Sequence, residues 1–356
     1  MTLIIAEAGV NHNGNDDLAF QLVDAAHKAG ADIVKFQTFK AKNLVTESAK
    51  QADYQVANTG QQESQYNMLK RLELSYETHH KLVKYCNSLG IEFLSTAFDS
   101  ESLDFLVNDL GVTRLKLPSG EITNAPLVLE HARTGCDLIV STGMATLTDI
   151  EQVLSVIAFG YLNKEGNPTP DSLIEAYYSE AGKAILKEKV TLLHCTTEYP
   201  APFADINLNA MDTMRDAFKL AVGYSDHSEG IVVPISAVAK GAVLIEKHFT
   251  TDKSLPGPDH NASLDPQELK AMVDGIRIAE KVLGDGIKGP RPSEVKNKAV
   301  VRKSLVVATS LKQGEEITSE HVSVKRPGDG MSPLKYWDVL GKIASRDYEV
   351  GELFEE

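Results

Sequence analysis

The stretches AVGYSDHSEG at residues 221–230 and VLIEKHFT at residues 243–250 decide the fold. Each is a short apolar run that ends in polar residues, and a helical stretch lies between them. Apolar runs that alternate with helices are typical of parallel strands buried on both faces. The same unit occurs eight times, and its apolar runs are Leu3–Ala8, Ile33–Gln37, Phe93–Thr96, Leu115–Ser119, Leu138–Thr142, Leu192–Thr196, Ala221–Ser225 and Val243–His248.

Eight such units predict an α/β fold, a (β/α)8 TIM barrel. Asp, Ser or Thr often opens the helical stretches and Gly often closes them, as helix capping prefers. A doubly wound open sheet is the alternative. The first strand, however, leads into AGVNHNG at residues 8–14, which is not the glycine-rich GxGxxG loop of dinucleotide-binding sheets.

The chain predicts two domains joined by a linker. The barrel covers residues 1–283, and GDGIKGPRPSEVKNK at residues 284–298 is rich in the Gly and Pro of linkers. Residues 299–356 have short strands with closely spaced turns and predict a small β-rich domain. The connection after the fifth strand is longer than one unit needs, so the insertion near Asn167–Lys187 predicts an extra surface helix.

Composition restricts the class of protein. The 356 residues carry a formal net charge of −14, which argues against a nucleic-acid binder. Three widely spaced cysteines do not predict a disulfide framework, so we expect a reducing cytoplasm. The N-terminal run lacks a basic region and contains Glu7, which favours a strand over a signal peptide, and no apolar segment predicts a membrane span.

His227 and His248 are the candidate metal ligands. Each ends a predicted strand, the two strands are consecutive, and neutral imidazoles bind Mn, Co, Zn or Fe. The alternative is that they only cap the strand ends through hydrogen bonds. Because neighbouring barrel strands bring such ends within reach of one ion, the pair favours a metal site.

Lys35 and Lys116 lie inside apolar strands, where an ammonium group is costly unless it finds an anion. Together they predict a cationic pocket for phosphate or carboxylate. Ion pairs with Glu7 or Glu121, or extension toward solvent, are the open alternatives. Other strand ends and loops supply hydroxyl donors and carboxylates for acid–base work, namely Ser119, Ser141, Ser225, Glu7, Glu121 and Asp259.

These residues lie in phrases that resemble the sialic acid synthase family. The phrases are AEAGVNHNG, VKFQTFKA, LPSGEITN, STGMAT, LHCTTEYPAPF, VGYSDHS, IEKHFT and PGPDHNASLDP. The tail, with VKRPGDGMSP and LGKIASRDY, is similar to the antifreeze-like (SAF) domain that follows the barrel in that family. The resemblance covers nearly the whole chain.

The resemblance implies an enzyme that condenses phosphoenolpyruvate with an N-acetylmannosamine-type sugar and water, giving a nine-carbon 2-keto acid and phosphate. It implies a divalent metal, Mn²⁺ before Mg²⁺ or Co²⁺, on His227 and His248. Arg326 would reach the sugar from the neighbouring subunit of a domain-swapped homodimer. The implied phosphoenolpyruvate contacts are Lys35, Thr96, Lys116, Ser119, Ser141, Thr197 and Ser225, and the implied acceptor contacts are Glu7, Gln37, Glu121, Tyr199 and Asp259.

The sequence departs from the family pattern at two positions, and four alternative interpretations are left open. Thr197 stands where some members have Asn, and Ala97 stands where proline is expected. The acceptor is either N-acetylmannosamine, giving N-acetylneuraminate, or a 2,4-diacetamido-trideoxymannose, giving legionaminate. Another phosphoenolpyruvate-dependent aldol-type synthase would need a further basic cluster, and a non-catalytic sugar-binding or ice-binding protein would tolerate alanine at the barrel mouth. For Arg326 alone, an ordinary exposed loop arginine is the alternative.

Overall fold

The computed structural model describes residues 1–60, 62–163 and 165–354. It divides into two compact units, Met1–Gly284 and Asp285–Glu356. The first unit contains the eight predicted strands, and the second follows where the sequence turns rich in Gly and Pro.

Eight parallel strands close into a barrel in chain order, β1 pairing with both β2 and β8. This confirms the (β/α)8 fold and excludes the open sheet. The strands are β1 Leu3–Gly9, β2 Ile33–Thr38, β3 Glu92–Ala97, β4 Arg114–Leu117, β5 Asp137–Ser141, β6 Val190–Cys195, β7 Ala221–Asp226 and β8 Leu244–His248.

Helices surround the barrel and fill the connections between its strands. Among the described residues, none is long and apolar enough to cross a membrane. The helices of the first unit are α1 Asp16–Ala29, α2 Ala41–Leu44, α3 Asp53–Thr59, α4 Gln65–Arg71, α5 Tyr76–Leu89, α6 Ser100–Asp104, α7 Ala125–Arg133, α8 Leu147–Leu162, α9 Pro170–Tyr178, α10 Glu180–Lys189, α11 Ala210–Phe218, α12 Val232–Ala239 and α13 Pro266–Leu283.

The inside of the barrel is apolar at its base and polar above. A cluster of buried residues fills the base, formed by Ile5, Ile33, Leu94, Ile139, Leu193 and Leu244. Side chains alternate between the two faces of a strand, so residues two positions further along also face the interior. In β1, β2 and β8 those residues are Glu7, Lys35 and Glu246, and the strand pattern therefore places charged groups above the apolar base.

Two connections are longer than the barrel requires. The insertion after α8 folds as α9 and α10, and α9, largely exposed, is the extra surface helix that the sequence predicted. The connection from β2 to α5 contains α2, α3 and α4. The sequence pattern did not predict these three helices because each is at most seven residues long, too short to show a helical period.

The second unit is a small domain with a two-stranded antiparallel sheet, β9 Ser304–Val307 paired with β10 Val322–Lys325. Short helices α14 Pro292–Val301 and α15 Tyr336–Val339 complete it. α14 begins within the predicted linker, residues 284–298. Pro292 lies in the first turn of this helix, and Glu294 accepts a hydrogen bond from the Arg291 N–H. The last two residues of the predicted domain, 355 and 356, lie outside the described residues.

Candidate active site

One cavity opens at the carboxyl ends of the barrel strands, the end at which barrel enzymes carry their active sites. Its volume is about 370 Å³, enough for two small substrates. The cavity brings together all the predicted site residues of the first unit, namely Glu7, Lys35, Gln37, Thr96, Lys116, Ser119, Glu121, Ser141, Thr197, Tyr199, Ser225, His227, His248 and Asp259.

The floor of the cavity is a buried network of two lysines and two glutamates. Lys35 Nζ lies 2.7 Å from Glu7 Oε2 and 3.5 Å from Glu246 Oε2, while Lys116 Nζ lies 2.7 Å from Glu246 Oε1. The ammonium groups therefore neither reach solvent nor pair with Glu121, and Glu246 faces the interior of the barrel. Both lysines point into the cavity with their charges balanced by carboxylates.

The two glutamates differ in charge. Burial raises the pKa of Glu7 to about 7, against the attraction of Lys35. Burial would also raise the pKa of Glu246, but Lys116 and Lys35 outweigh it, so its pKa falls below the ordinary value. At neutral pH Glu7 carries less than a full negative charge, and the floor favours an incoming anion.

Buried hydroxyl groups line the cavity beside Lys116. Ser141 Oγ and Thr197 Oγ1 are buried and find no hydrogen-bond partner among the described residues, which is costly unless a ligand or water supplies one. Ser119 Oγ accepts a hydrogen bond of 2.9 Å from the Gly143 N–H. The Gly143 peptide therefore orients the Ser119 hydroxyl.

His227 and His248 lie side by side, with ring centroids 5.7 Å apart. Burial lowers the pKa of His227 to about 4 and lowers that of His248 well below its ordinary value, so both rings are neutral. His227 Nδ1 donates to the Thr196 carbonyl at 2.6 Å, which leaves a lone pair on Nε2, and the buried His248 Nδ1 has no hydrogen-bond partner among the described residues. A divalent ion binds neutral imidazoles through such lone pairs, and at His227 Nε2 it would replace the contact with the Tyr199 hydroxyl at 3.1 Å.

The pair fits a metal that takes two protein ligands. Asp259 Oδ2 lies 3.8 Å from His248 Nδ1, and Tyr199 hydroxyl lies 3.1 Å from His227 Nε2. No group of three or more His, Cys, Asp and Glu side chains within the described part of the chain is arranged to hold an ion. Water and substrate oxygens would have to complete the coordination.

A loop between β8 and α13 presents Asp259, and the NHNG motif after β1 holds that loop. Asn11 Nδ2 donates to the Phe249 carbonyl at 2.8 Å and to Ser263 Oγ at 2.9 Å, and Asn13 Oδ1 lies 3.2 Å from His260 Nε2. The motif had no assigned role in the sequence. Its two asparagines fix the position of an acidic side chain, whose pKa burial raises to about 6.

One side of the cavity is an apolar wall that the sequence analysis missed. The wall comes from the β2–α5 connection, with contributions from loops after β1 and β3. The strand-end pattern did not identify it, because that pattern selects polar residues and the wall residues are apolar. Its apolar members are Val10, Phe39, Leu44, Val45, Met68, Leu69, Leu72 and Phe98.

Arg326 lies in the second unit, directly after β10. Its side chain is exposed, and Nε donates to the Val301 carbonyl at 3.1 Å within the same unit. The predicted role of Arg326 at the acceptor therefore stays a prediction.

The fold and the cavity define a class of protein: a (β/α)8 barrel whose cavity holds two lysines beside a histidine pair, followed by a small β domain. The chain belongs to the NeuB family, whose model matches residues 22–288. The SAF domain model matches residues 302–354. The resemblance to sialic acid synthases with an antifreeze-like domain is thereby confirmed.

Three similar proteins are named as synthases or synthetases of a sugar acid. N,N'-diacetyllegionaminic acid synthase of Campylobacter jejuni is 48% identical over 100% of this chain and 99% of its own length. The protein of the same name from Legionella pneumophila is 48% identical over 98% of this chain and 92% of its own length. The solved N-acetylneuraminic acid (sialic acid) synthetase of Leptospira borgpetersenii is 31% identical, with a TM-score of 0.67 over 83% of this chain and 90% of that chain.

Proposed function

We propose that this chain is a nonulosonic acid synthase that condenses phosphoenolpyruvate with 2,4-diacetamido-2,4,6-trideoxymannose and water, giving N,N'-diacetyllegionaminate and phosphate. The observation that carries the proposal is the cavity itself, where Lys35, Lys116 and unpartnered hydroxyls lie beside the histidine pair. The two relatives named for this product, each 48% identical over nearly the full chain, favour it over N-acetylneuraminate.

The reaction forms one carbon–carbon bond and breaks one carbon–oxygen bond. C3 of phosphoenolpyruvate attacks the aldehyde carbon of the open-chain sugar, and the oxygen of water adds to C2. The bond between C2 and the bridging oxygen then breaks, and phosphate leaves with that oxygen, so that a 2-keto acid remains. No oxidant or reductant is required.

The floor of the cavity holds phosphoenolpyruvate in this proposal. Lys35 and Lys116 bind its phosphate and carboxylate, and Thr96, Ser119, Ser141 and Thr197 donate hydrogen bonds to the same oxygens. Ser225 donates its hydroxyl to Glu246 Oε1 at 2.7 Å and so holds the carboxylate that pairs with Lys116. Because Lys35, Lys116, Thr96 and Ser141 are buried, their interactions with an anion are less screened than at the surface. Glu7, beside Lys35, exchanges protons with the reacting atoms, since its pKa of about 7 lets it hold or release one.

The acceptor lies above the floor, between Gln37, Glu121, Tyr199 and Asp259. A divalent metal on His227 and His248, Mn²⁺ before Mg²⁺ or Co²⁺, would supply Lewis-acid polarisation of the aldehyde oxygen. Tyr199, at 3.1 Å from His227, and Asp259, at 3.8 Å from His248, orient the sugar next to that position.

Phosphate release tests the proposal. The enzyme with Mn²⁺ and phosphoenolpyruvate should release phosphate when the diacetamido sugar is added and lose the activity in EDTA. No release with this sugar or with N-acetylmannosamine would contradict the synthase function. Full activity after EDTA treatment would remove the metal from the proposal and leave the condensation intact.

We further propose that the enzyme is a cytoplasmic, domain-swapped homodimer in which Arg326 of one chain completes the site of the other. Cys86, Cys136 and Cys195 are free and buried, as expected in a reducing compartment. Arg326→Ala and His248→Ala chains, each inactive alone, should regain activity when mixed, because one site of the mixed dimer is intact. No recovery despite demonstrated subunit exchange would contradict action in trans.

A further inference from the structure

We infer that the apolar wall of the cavity selects an acceptor that presents methyl groups where other sugars present hydroxyls, with Val45 and Leu69 as specificity-determining residues. The inference rests on the proposed function and deepens it, because it assigns the choice between two acceptors to particular side chains. Both residues line the cavity and are half-buried, so part of each side chain remains open to a ligand.

The wall has a fixed shape. Val10, Phe39, Met68 and Leu72 form a buried cluster, with Met68 2% and Phe39 3% exposed, and Leu44, Leu69 and Phe98 pack against it. A packed cluster of this kind holds its surface in place, unlike a mobile loop that could turn a polar group toward the ligand.

The wall offers few polar partners to a sugar. Among the cavity-lining residues that the β2–α5 connection contributes, Gln55 and Gln65 alone have polar side chains. Gln55 Oε1 already accepts a hydrogen bond of 2.9 Å from the Ala52 N–H. A sugar hydroxyl placed against Val45 or Leu69 would lose its water without gaining a partner, whereas a methyl group would gain contacts.

The wall adjoins the part of the cavity that the acceptor occupies. Phe39 follows Gln37 by two residues, and Asn58 Nδ2 on α3 donates to the Pro258 carbonyl at 2.7 Å. Pro258 precedes Asp259, so this hydrogen bond links the β2–α5 connection, which forms most of the wall, to the loop that presents Asp259. The lysines, in contrast, lie on the barrel floor, so the wall faces the sugar and not phosphoenolpyruvate.

The geometry therefore favours a 6-deoxy sugar with an acylamino group at C4. Such a sugar carries a methyl group at C6 and an acetyl methyl at C4, where N-acetylmannosamine carries hydroxyls. An apolar pocket discriminates against an added hydroxyl by up to about 10²-fold, and we expect a preference of that order in kcat/KM.

The proposed role of the wall in specificity is tested by measuring phosphate release with each of the two sugars in turn. Val45→Thr keeps the shape of the side chain and adds one hydroxyl, and Val45→Ile is the matched apolar control. We expect Val45→Thr to narrow the ratio of kcat/KM between the two sugars by about tenfold, while the KM for phosphoenolpyruvate stays unchanged and Val45→Ile keeps the ratio.

Leu69→Gln provides a second test in case the Val45→Thr variant folds poorly. Leu69→Gln should narrow the ratio in the same direction, with Leu69→Met as its control. A ratio that stays at the wild-type value in both polar variants, with wild-type melting temperatures, would overturn the inference while the synthase function stands. Wild-type enzyme that releases no phosphate with either sugar would overturn the proposed function, and the inference with it.

Discussion

The floor and the wall of the cavity are built from opposite chemistry and from different parts of the chain. The floor consists of strand ends, with four buried charges whose positions the barrel register fixes: Glu7 pairs with Lys35 on one side and with His248 on the other. The wall is apolar and comes mainly from the β2–α5 connection, with Val10 and Phe98 added by the loops after β1 and β3. We therefore assign the chemistry of the proposed reaction to the floor and the choice of sugar to the wall.

The largest effect is expected from Lys116→Met on the floor. The variant leaves Glu246 without its partner at 2.7 Å, and a broken buried ion pair costs about 3–5 kcal/mol of stability. The anion site also loses a charge, so kcat/KM should fall by roughly 10³-fold with both sugars. Phosphate release and thermal unfolding measure the two effects.

The double variant Lys116→Met/Glu246→Gln separates the loss of stability from the loss of activity. It removes both charges, so stability should return while activity stays lost. A double variant with the wild-type KM for phosphoenolpyruvate would show that the floor does not bind the anion. The assignment of different roles to the floor and the wall would then be wrong.

The second largest effect is expected at the histidine pair, on the affinity for Mn²⁺ measured in the absence of substrate. Titration calorimetry with Mn²⁺ and no substrate should show binding to the wild type. His227→Ala or His248→Ala should weaken it by at least about 100-fold, since loss of even an outer-shell partner costs a site 10–100-fold. His80→Ala, on the exposed surface of α5, is the control and should bind like the wild type. Equal Mn²⁺ affinity in all variants would remove both histidines from the metal site.

The floor could be predicted from the sequence, and the wall could not. A lysine within DIVKFQT or RLKLPSG is conspicuous in an apolar strand, and the alternation of side chains fixes which way it points. The ion partner Glu246 was not predicted, because strand position alone does not show that two lysines converge on one carboxylate. The wall residues, such as Met68 and Leu69, look like ordinary core residues of a helix, and only the folded connection shows that they face a cavity.

Gly143→Ala is expected to have an intermediate effect on the floor. A Cβ at this position would lie 2.2 Å from Thr197 Oγ1 and 2.8 Å from Ser119 Oγ, so both hydroxyls must move. A shift of this size costs up to about 10²-fold in kcat/KM. Gly289→Ala, which meets no atom within 4 Å, is the control. Unchanged kinetics in Gly143→Ala would mean that neither hydroxyl contacts the substrate.

The smallest effect is expected where the wall meets the loop of Asp259. Asn58→Ala removes the 2.7 Å hydrogen bond to the Pro258 carbonyl, a net contribution of about 0.5–1.5 kcal/mol. The KM for the sugar should rise by roughly two- to tenfold, the same free energy expressed as a ratio, while the KM for phosphoenolpyruvate does not change. Asn67→Ala, exposed on α4, is the matched control. An equal rise in the KM for the sugar and the KM for phosphoenolpyruvate would show that the substitution also disturbs the floor.

The central claim, that one cavity joins two substrates through a new carbon–carbon bond, is tested most directly by product stoichiometry. The Mn²⁺-loaded enzyme is incubated with phosphoenolpyruvate and the diacetamido sugar, and phosphate and the sugar acid are quantified together by colorimetry and mass spectrometry. The account predicts one phosphate for each 2-keto acid with a nine-carbon backbone, and none of either without sugar. Phosphate released without sugar consumption, or a product mass lacking the three carbons of phosphoenolpyruvate, would contradict it.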